Sequence, residues 1–350
     1  MHLYIHIPFC KSKCHYCAFT SLDIKGFEKS YFDALLYDIK YHINKFKISN
    51  INTLYIGGGT PSLIDAILYK ELFSFLRPLF DPNIEISIEA NPNSGDKAWL
   101  KEIKNIGINR ISFGIQSFDE KKLRFLGRIH NSDDIYTSIK NAINVGFENI
   151  NIDIIYDTKL DDKKMLEFEL DNIYKAHKMG INHISAYNLN IEKNTKFYKY
   201  PNYKKNAPFL MKFFINEIQK IGFEQYEISN FGNICKHNLA YWLGKDYLGC
   251  GLSSVSFHKN TRFYTHKNIK NYILDPIFRY EEYLNEDELF LEHLFMGLRS
   301  IIGVDINKLN AKQLEKIKIL SKNKKIIINN NKIFNTNYLI SDELALWISS

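Results

Sequence analysis

Hydrophobic positions in the first 190 residues switch repeatedly between two spacings. Leu3, Ile5 and Ile7 alternate with other residues, as in a strand, whereas apolar residues in 27–46 recur every three to four positions, as in an amphipathic helix. The same alternation continues, with strands predicted at 53–56, 84–88, 110–115, 150–155 and 183–188, and helices at 63–79, 96–106, 133–145 and 163–179. Repeated strand–helix units predict an α/β fold whose parallel sheet, with its outer helices, curls into a full or partial barrel.

Polar residues stand where the later strands of this series end. Gly57 opens a glycine-rich turn, and Glu89, Gln116, Asp153 and Asn188 stand at the carboxyl ends of the next strands. Ligands of such folds bind at the edge formed by the carboxyl ends of the strands. A run of glycines alone usually forms only a turn, so the indication of a site comes from several polar residues meeting at one edge.

Cys10, Cys14 and Cys17 follow the first strand with the spacing C-x3-C-x2-C. Thiolates are soft ligands that suit iron–sulfur clusters and zinc. Three of them can hold three corners of a [4Fe–4S] cluster and leave the fourth iron open. Zinc would need a fourth protein ligand, which His6 or His15 could supply.

Composition narrows the class of protein. The 350 residues are 45% hydrophobic, and the net charge of +7 comes from lysines scattered along the chain, which indicates a solvated surface and not nucleic-acid binding. No apolar run is long enough to cross a bilayer, and no secretory leader is apparent. With five cysteines, three of them clustered, we expect a cytoplasmic protein with a metal site; transient contact with a membrane surface stays open.

The pattern changes towards the carboxyl end. A helix is predicted at 207–221, a glycine- and aromatic-rich stretch follows, and from about residue 285 two helices precede a hairpin around 329–331. These last elements resemble a small winged-helix-like unit without a basic recognition helix, so packing or partner docking is its expected role. The predicted domains are a barrel at 1–230, a connecting segment at 231–284 and a helical, winged-helix-like α+β domain at 285–350.

Taken together, these motifs resemble the radical S-adenosylmethionine (SAM) superfamily. The closer resemblance is to the branch that contains oxygen-independent coproporphyrinogen III oxidases and haem chaperones. It rests on residues 4–19, 57–62, 89–92, 110–117, 126–130, 153–156, 226–230 and 247–251. The resemblance implies a partial (β/α)6 barrel like that of triosephosphate isomerase, a [4Fe–4S] cluster on the three cysteines, and SAM bound through its amino and carboxylate groups to the open iron.

The resemblance also implies which residues bind SAM. They are Tyr4, Tyr16, Gly58, Gly59, Thr60, Glu89, Gln116, Arg128 and Asp153. Glycines let the backbone approach the methionine end, a strand-end carboxylate can accept ribose hydroxyls, and a guanidinium suits a carboxylate. The simpler alternatives are a helix cap for Glu89, a surface ion pair for Arg128 and plain packing for the two tyrosines.

Three departures qualify the resemblance. Phe19 stands where the oxidases have a fourth cysteine, and the chain begins nine residues before Cys10 where the oxidases carry an extension. Residues 157–160 stand where the family usually has Gly-Leu-Pro, which leaves the loop geometry beside Asp153 open. The first two favour a haem chaperone, which receives haem and passes it to an unidentified acceptor protein. The alternatives are an oxidase that decarboxylates propionates to vinyl groups and, less favoured, a radical SAM enzyme acting on RNA.

His237 is the candidate haem ligand. It begins an H-N-x-x-Y-W pattern that resembles the haem-chaperone branch, and Tyr241 and Trp242 could flank a porphyrin bound through the imidazole. The alternative is a loop histidine that caps a helix, with the aromatic residues in the core. Cys235 is either another ligand or a structural thiol.

Overall fold

The computed structural model describes residues 1–23 and 26–350 and contains two α/β units. The strands, in chain order, are β1 (His2–Ile7), β2 (Phe9–Cys10), β3 (Leu22–Asp23), β4 (Ile51–Gly58), β5 (Phe80–Ala90), β6 (Arg110–Gln116), β7 (Asn149–Tyr156), β8 (His183–Asn188), β9 (Asn230–Gly232), β10 (Tyr247–Cys250), β11 (Val255–His258), β12 (Thr261–Tyr264), β13 (Tyr280–Tyr283), β14 (Val304–Asp305), β15 (Ile326–Asn329) and β16 (Lys332–Asn335).

Helices alternate with these strands through most of the chain. They are α1 (Glu28–Lys45), α2 (Ala66–Leu76), α3 (Lys97–Asn105), α4 (Glu120–Leu126), α5 (Ser132–Asn144), α6 (Lys163–Met179), α7 (Pro208–Ile221), α8 (Lys236–Trp242), α9 (Ile269–Leu274), α10 (Glu286–Leu298), α11 (Ala311–Lys322) and α12 (Ser341–Ser349). Aspartates cap the starts of α2, α3, α4 and α6 by accepting backbone N–H groups, which satisfies donors that a helix start leaves free. Among the described residues, no helix has the length and hydrophobicity needed to span a bilayer.

One curved sheet organises the larger unit. Its strand order is β13-β12-β11-β10-β1-β4-β5-β6-β7-β8-β9. The six predicted strands, β1 and β4 to β8, pair in parallel with their sequence neighbours, as right-handed strand–helix units require. The sheet is open at β13 and β9, so the predicted partial barrel is confirmed. Strand β10 extends it by pairing in parallel with β1, and β11 to β13 continue antiparallel.

The two faces of the barrel strands differ in polarity. Outward residues such as Leu3 and Ile5 are buried under the helices, whereas inward positions are polar. Asn151 shows how this polar interior is satisfied, because its amide nitrogen lies 2.7 Å from Ser112 Oγ and 3.1 Å from Ser185 Oγ on the neighbouring strands. Buried polar groups that pair with one another in this way hold a single arrangement.

The carboxyl-terminal residues form a second core. Strands β14, β16 and β15 make an antiparallel sheet, packed with α10, α11 and α12 around Leu294, Leu298 and Ile333. The predicted hairpin at 329–331 is present between β15 and β16. Within residues 231–284, strands β10 to β13 extend the main sheet. The division into three domains stays a prediction.

Candidate functional site

The three cysteines lie together on the loop that follows β1. This loop runs between β2 and β3, which pair with each other in a separate two-stranded sheet. Cys10, Cys14 and Cys17 are partly exposed free thiols, and the Cys17 N–H donates to the Cys14 carbonyl at 3.3 Å. Burial raises the pKa of Cys10 and of Cys17, so a bound metal cluster would be needed to keep them as thiolates.

The glycine turn after β4 approaches this loop closely. The Gly59 N–H donates to the Ile7 carbonyl at 2.7 Å, and a Cβ at Gly59 would lie 2.6 Å from the Phe9 carbonyl oxygen and 3.0 Å from Cys10 Sγ. Gly58 has φ of +121°, a conformation that side-chain-bearing residues rarely adopt. Thr60 Oγ1 lies 3.5 Å from Cys10 Sγ. The sequence needs glycine here because the turn and the cysteine loop share the same space.

Arg128 connects the cysteine loop to two neighbouring strands. Its guanidinium donates to Cys14 Sγ at 3.2 Å, to Asn91 Oδ1 at 2.6 Å and to the Gly114 carbonyl at 2.5 Å. The simple surface ion pair considered from the sequence is therefore not its arrangement. Its Nε is buried without a hydrogen-bond partner among the described residues.

Two carboxyl groups line the barrel interior below the glycine turn. Glu89 accepts hydrogen bonds from Tyr55 Oη and the Gly58 N–H, both at 3.0 Å, so it does not cap a helix. Burial, with the nearby charge of Asp153, raises the pKa of Glu89 to about 7. Burial also raises the pKa of Asp153, although Asn151 donates a hydrogen bond to it at 2.7 Å. Both groups can accept hydrogen bonds from a ligand placed above them.

The remaining predicted SAM residues lie around this edge. Gln116 is buried at a bulge between β6 and β7 and has φ of +69°. Tyr4 Oη and His6 Nδ1 share a hydrogen bond of 3.0 Å, and the Tyr4 ring stacks with the ring of Tyr55. Tyr16 packs beside an apolar group of residues that includes Leu126.

A cavity of about 190 Å³ opens beside Cys14. Asn91 and Arg128 line it together with Lys11 and Ser62, so it lies directly against the thiol and the guanidinium. The cysteine loop, the glycine turn and this cavity thus occupy one edge of the barrel. The chemistry of the donors fits a cluster held by three cysteines.

The two histidines considered for a zinc site differ, because His6 has both ring nitrogens in hydrogen bonds and His15 has one. Both ring nitrogens of His6 make hydrogen bonds, to Tyr4 Oη and the Thr20 carbonyl. His15 Nδ1 pairs with the Phe125 carbonyl at 3.0 Å. In the described part of the chain, no three histidine, cysteine or carboxylate side chains surround a single metal position.

The loop at residues 157–160 is held by buried polar groups. Asp157, at the position where the resemblance expects glycine, adopts φ of +63°, and its carboxylate accepts the Ala207 N–H at 3.0 Å. Next to it, Lys122 Nζ lies 2.7 Å from Asp161 Oδ1 and 3.5 Å from Glu169 Oε1. Sequence reasoning missed this cluster, since no local pattern relates residues so far apart.

His237 lies at the opposite end of the barrel from the cysteines. Its Nδ1 is 2.7 Å from Thr53 Oγ1, near the start of β4, and its Nε2 is 2.9 Å from Tyr241 Oη. The side chain is 1% exposed, and burial lowers its pKa to about 3. An iron could reach the ring only if one of these hydrogen bonds were given up. The packing alternative describes these surroundings, and the role as haem ligand stays a prediction.

Cys235, the other residue considered for haem, is equally enclosed. The thiol is buried 3.4 Å from a carboxylate oxygen of Glu85, whose carboxylate also accepts the N–H groups of Lys236 and His237 at the start of α8. This arrangement is that of a structural thiol beside a capped helix.

Comparison with known proteins agrees with this geometry. Residues 4–169 match the Radical SAM superfamily. The chain is 33% identical to heme chaperone HemW of Bacillus subtilis over 86% of its own length and 84% of that protein. The chain belongs to the HemW/HemN branch of the radical SAM superfamily. Another relative in this branch, heme chaperone HemW of Haemophilus influenzae, is 38% identical over 80% of this chain and 77% of that protein.

A solved structure from the HemW/HemN branch confirms the fold. Coproporphyrinogen III oxidase (HemN) from Escherichia coli superposes with a TM-score of 0.82, covering 99% of this chain and 89% of that one. The sequence identity between the two chains is 22%, so this likeness establishes the architecture and carries no conclusion about activity.

Proposed function

We propose that this protein is a haem chaperone that carries a [4Fe–4S] cluster, binds SAM and passes haem to an acceptor protein. The observation that carries the proposal is its likeness, over more than three quarters of its length, to proteins named heme chaperone HemW. The grouping of three cysteines, a glycine turn and a guanidinium at one barrel edge supports it, since a chaperone of this kind would keep both cofactor sites.

In this proposal Cys10, Cys14 and Cys17 hold the cluster. When bound, such a cluster supplies electron transfer and an open iron for the methionine end of SAM. Gly59 keeps the turn close to the sulfurs, and Arg128 donates a hydrogen bond to Cys14 Sγ at 3.2 Å.

The neighbouring groups of the barrel edge would bind the rest of SAM. Gly58 and Thr60 present the backbone and hydroxyl of the glycine turn to the methionine end, while Glu89 and Asp153 accept hydrogen bonds from the nucleoside. Tyr4, Tyr16 and Gln116 complete the proposed SAM site.

Phe19 favours the chaperone over the oxidase. Its side chain is 68% exposed at the position where the resemblance expects the oxidases' fourth cysteine. A benzyl group offers no thiolate, so a step that depends on that cysteine has no equivalent group here. The side chain instead adds apolar surface beside the cluster loop, which suits contact with an apolar cargo or partner.

The test is anaerobic reconstitution with iron and sulfide, followed by haem loading and transfer to a haem-free globin. We expect about four irons and four sulfides per chain, haem uptake, and appearance of the globin's haem spectrum. Replacing the three cluster cysteines with alanine should abolish the cluster, whereas Cys235→Ala should keep it. Turnover of coproporphyrinogen III with reductant and SAM, or failure to bind haem, would contradict the proposal.

A further inference from the structure

One histidine differs from all others in the chain, and every histidine lies in the described residues. His266 makes no ring hydrogen bond, although it is only half-buried. The other ten histidines each have at least one ring nitrogen in a hydrogen bond; they are His2, His6, His15, His42, His130, His177, His183, His237, His258 and His293. An imidazole with both nitrogens free is available to a metal.

His266 belongs to an aromatic face on the antiparallel extension of the sheet. Tyr264 of β12 pairs with Tyr280 of β13, with ring centroids 6.1 Å apart. Two residues further along, the His266 and Phe278 rings stack at 4.3 Å with an interplanar angle of 16°. Stacking holds the plane of the imidazole. The aromatic face is therefore a set of four rings, one of which is an imidazole without a hydrogen bond to a described residue.

The surroundings of this face match an apolar disc with carboxylate groups. Phe278 is 42% exposed, Tyr280 64% and Leu274 84%, which is much apolar surface to leave in water. Lys267 and Lys270 are exposed beside the histidine, and their ammonium groups can pair with carboxylates. Haem combines these features, with an aromatic macrocycle, two propionates and an iron that takes imidazole as axial ligand.

This face lies at the same edge as the cysteine loop. The Ser253 N–H donates to the His266 carbonyl at 2.8 Å, and Ser253 Oγ accepts from Thr20 Oγ1 at 3.0 Å. Thr20 follows the exposed Phe19 and comes three residues after Cys17. Two hydrogen bonds thus connect the backbone of His266 to the cluster loop, whereas His237 is buried at the far end of the barrel.

We propose that His266 is the ligand of the haem iron, with the macrocycle on the aromatic face of Tyr264, Phe278 and Tyr280. The propionates then lie towards Lys267 and Lys270. This inference rests on the proposed haem-chaperone function and assigns the cargo site within it. It replaces the assignment to His237, whose ring nitrogens are both engaged.

The test is titration of the full chain with haem, monitored by the visible absorption of imidazole-ligated iron. His266→Ala should weaken haem binding by at least about tenfold. Loss of a residue that merely hydrogen-bonds to a metal ligand already weakens metal binding by about ten- to a hundredfold, and loss of the ligand itself should cost no less. Free imidazole should restore the spectrum of His266→Gly. The matched control is His258→Ala, which removes a partly exposed histidine held by Asp246 at 2.8 Å and should bind haem like the wild type.

The outcomes separate the ligand assignment from the function. Wild-type affinity and spectrum in His266→Ala, or loss of haem binding in a folded His237→Ala variant alone, would overturn the assignment and leave the chaperone proposal standing. A wild-type chain that takes up no haem would overturn both. Phe278→Leu, which removes the stacked ring but not the ligand, should retain imidazole ligation with weaker haem binding.

Discussion

Gly59→Ala should disturb the cluster site, because a methyl group there would press directly on the cysteine loop. The new Cβ would lie 2.6 Å from the Phe9 carbonyl oxygen, 2.9 Å from the Pro8 carbonyl carbon and 3.0 Å from Cys10 Sγ. To reach an ordinary contact of 3.4 Å, the Phe9 carbonyl would have to retreat by roughly 0.8 Å. That carbonyl belongs to the peptide bond that leads into Cys10, so the movement also displaces the first cluster ligand.

The size of the effect follows from this overlap. Inserting a methyl group into a packed region costs about 1–3 kcal/mol, and a chain of this size should lose only a few degrees in melting temperature. The same free energy acting on cluster binding would have a larger visible effect, since 1.4 kcal/mol corresponds to about a factor of ten in a binding equilibrium. We expect Gly59→Ala to take up clearly less iron and sulfide than wild type during anaerobic reconstitution, while remaining folded.

The matched control is Gly95→Ala, because its new Cβ would meet only ordinary contacts of 3.5–3.7 Å and its backbone needs no left-handed conformation. It should load a full cluster. Full iron and sulfide content in Gly59→Ala, measured beside this control, would refute the idea that the close approach of turn and loop sets the geometry of the sulfurs.

Three further substitutions test charged groups in the barrel unit. Burial raises the pKa of Glu227 from its ordinary 4.5 to about 7, so the free energy of unfolding should fall as pH rises between these values. Glu227→Gln should remove this loss, which raises the free energy of unfolding measured in urea by up to about 3 kcal/mol above pH 7 and changes it little below pH 4. Lys122→Met should cost about 3–5 kcal/mol, because two buried carboxylates lose their cation, whereas the exposed Lys163→Met should cost under about 1 kcal/mol. Arg128→Lys should weaken SAM binding, measured by calorimetry, by about tenfold, since lysine cannot make the three contacts of the guanidinium. Arg124→Lys, which changes an exposed arginine, should leave SAM affinity unchanged.

The barrel could be predicted because its signals are local. The apolar spacing in 27–46 predicted a helix that the structure places at Glu28–Lys45, and the strand predicted at 110–115 is Arg110–Gln116. Polar residues at strand ends were placed correctly at one edge, since parallel strands fix where their carboxyl ends lie. The short helices α4 and α8, of seven residues each, were missed because two turns do not establish a period.

Contacts between distant segments escaped prediction for a physical reason. Strand β10 pairs with β1 across about 245 residues, with His2 opposite Tyr247, and neither sequence indicates the other. The hydrogen bonds of His237 depend in the same way on Thr53, 184 residues earlier. A motif histidine therefore looked available from the sequence, while His266, which has no motif, was passed over because its aromatic face exists only once β12 and β13 pair.

The two ends of the barrel differ in how completely their polar groups are satisfied, and this difference bears on where ligands bind. At the amino end, His2, Thr53, His237 and Tyr241 form a continuous hydrogen-bonded series, and burial lowers the pKa of both histidines, so they stay neutral and paired. Disrupting such a series leaves buried groups unpaired, which costs free energy before any ligand is gained. At the carboxyl end, the imidazole of His266 makes no ring hydrogen bond to a described residue, and the thiols of Cys14 and Cys10 contact Arg128 and Thr60. A ligand bound there would therefore disrupt fewer buried hydrogen bonds, and we expect cluster, nucleoside and haem to bind at the carboxyl end.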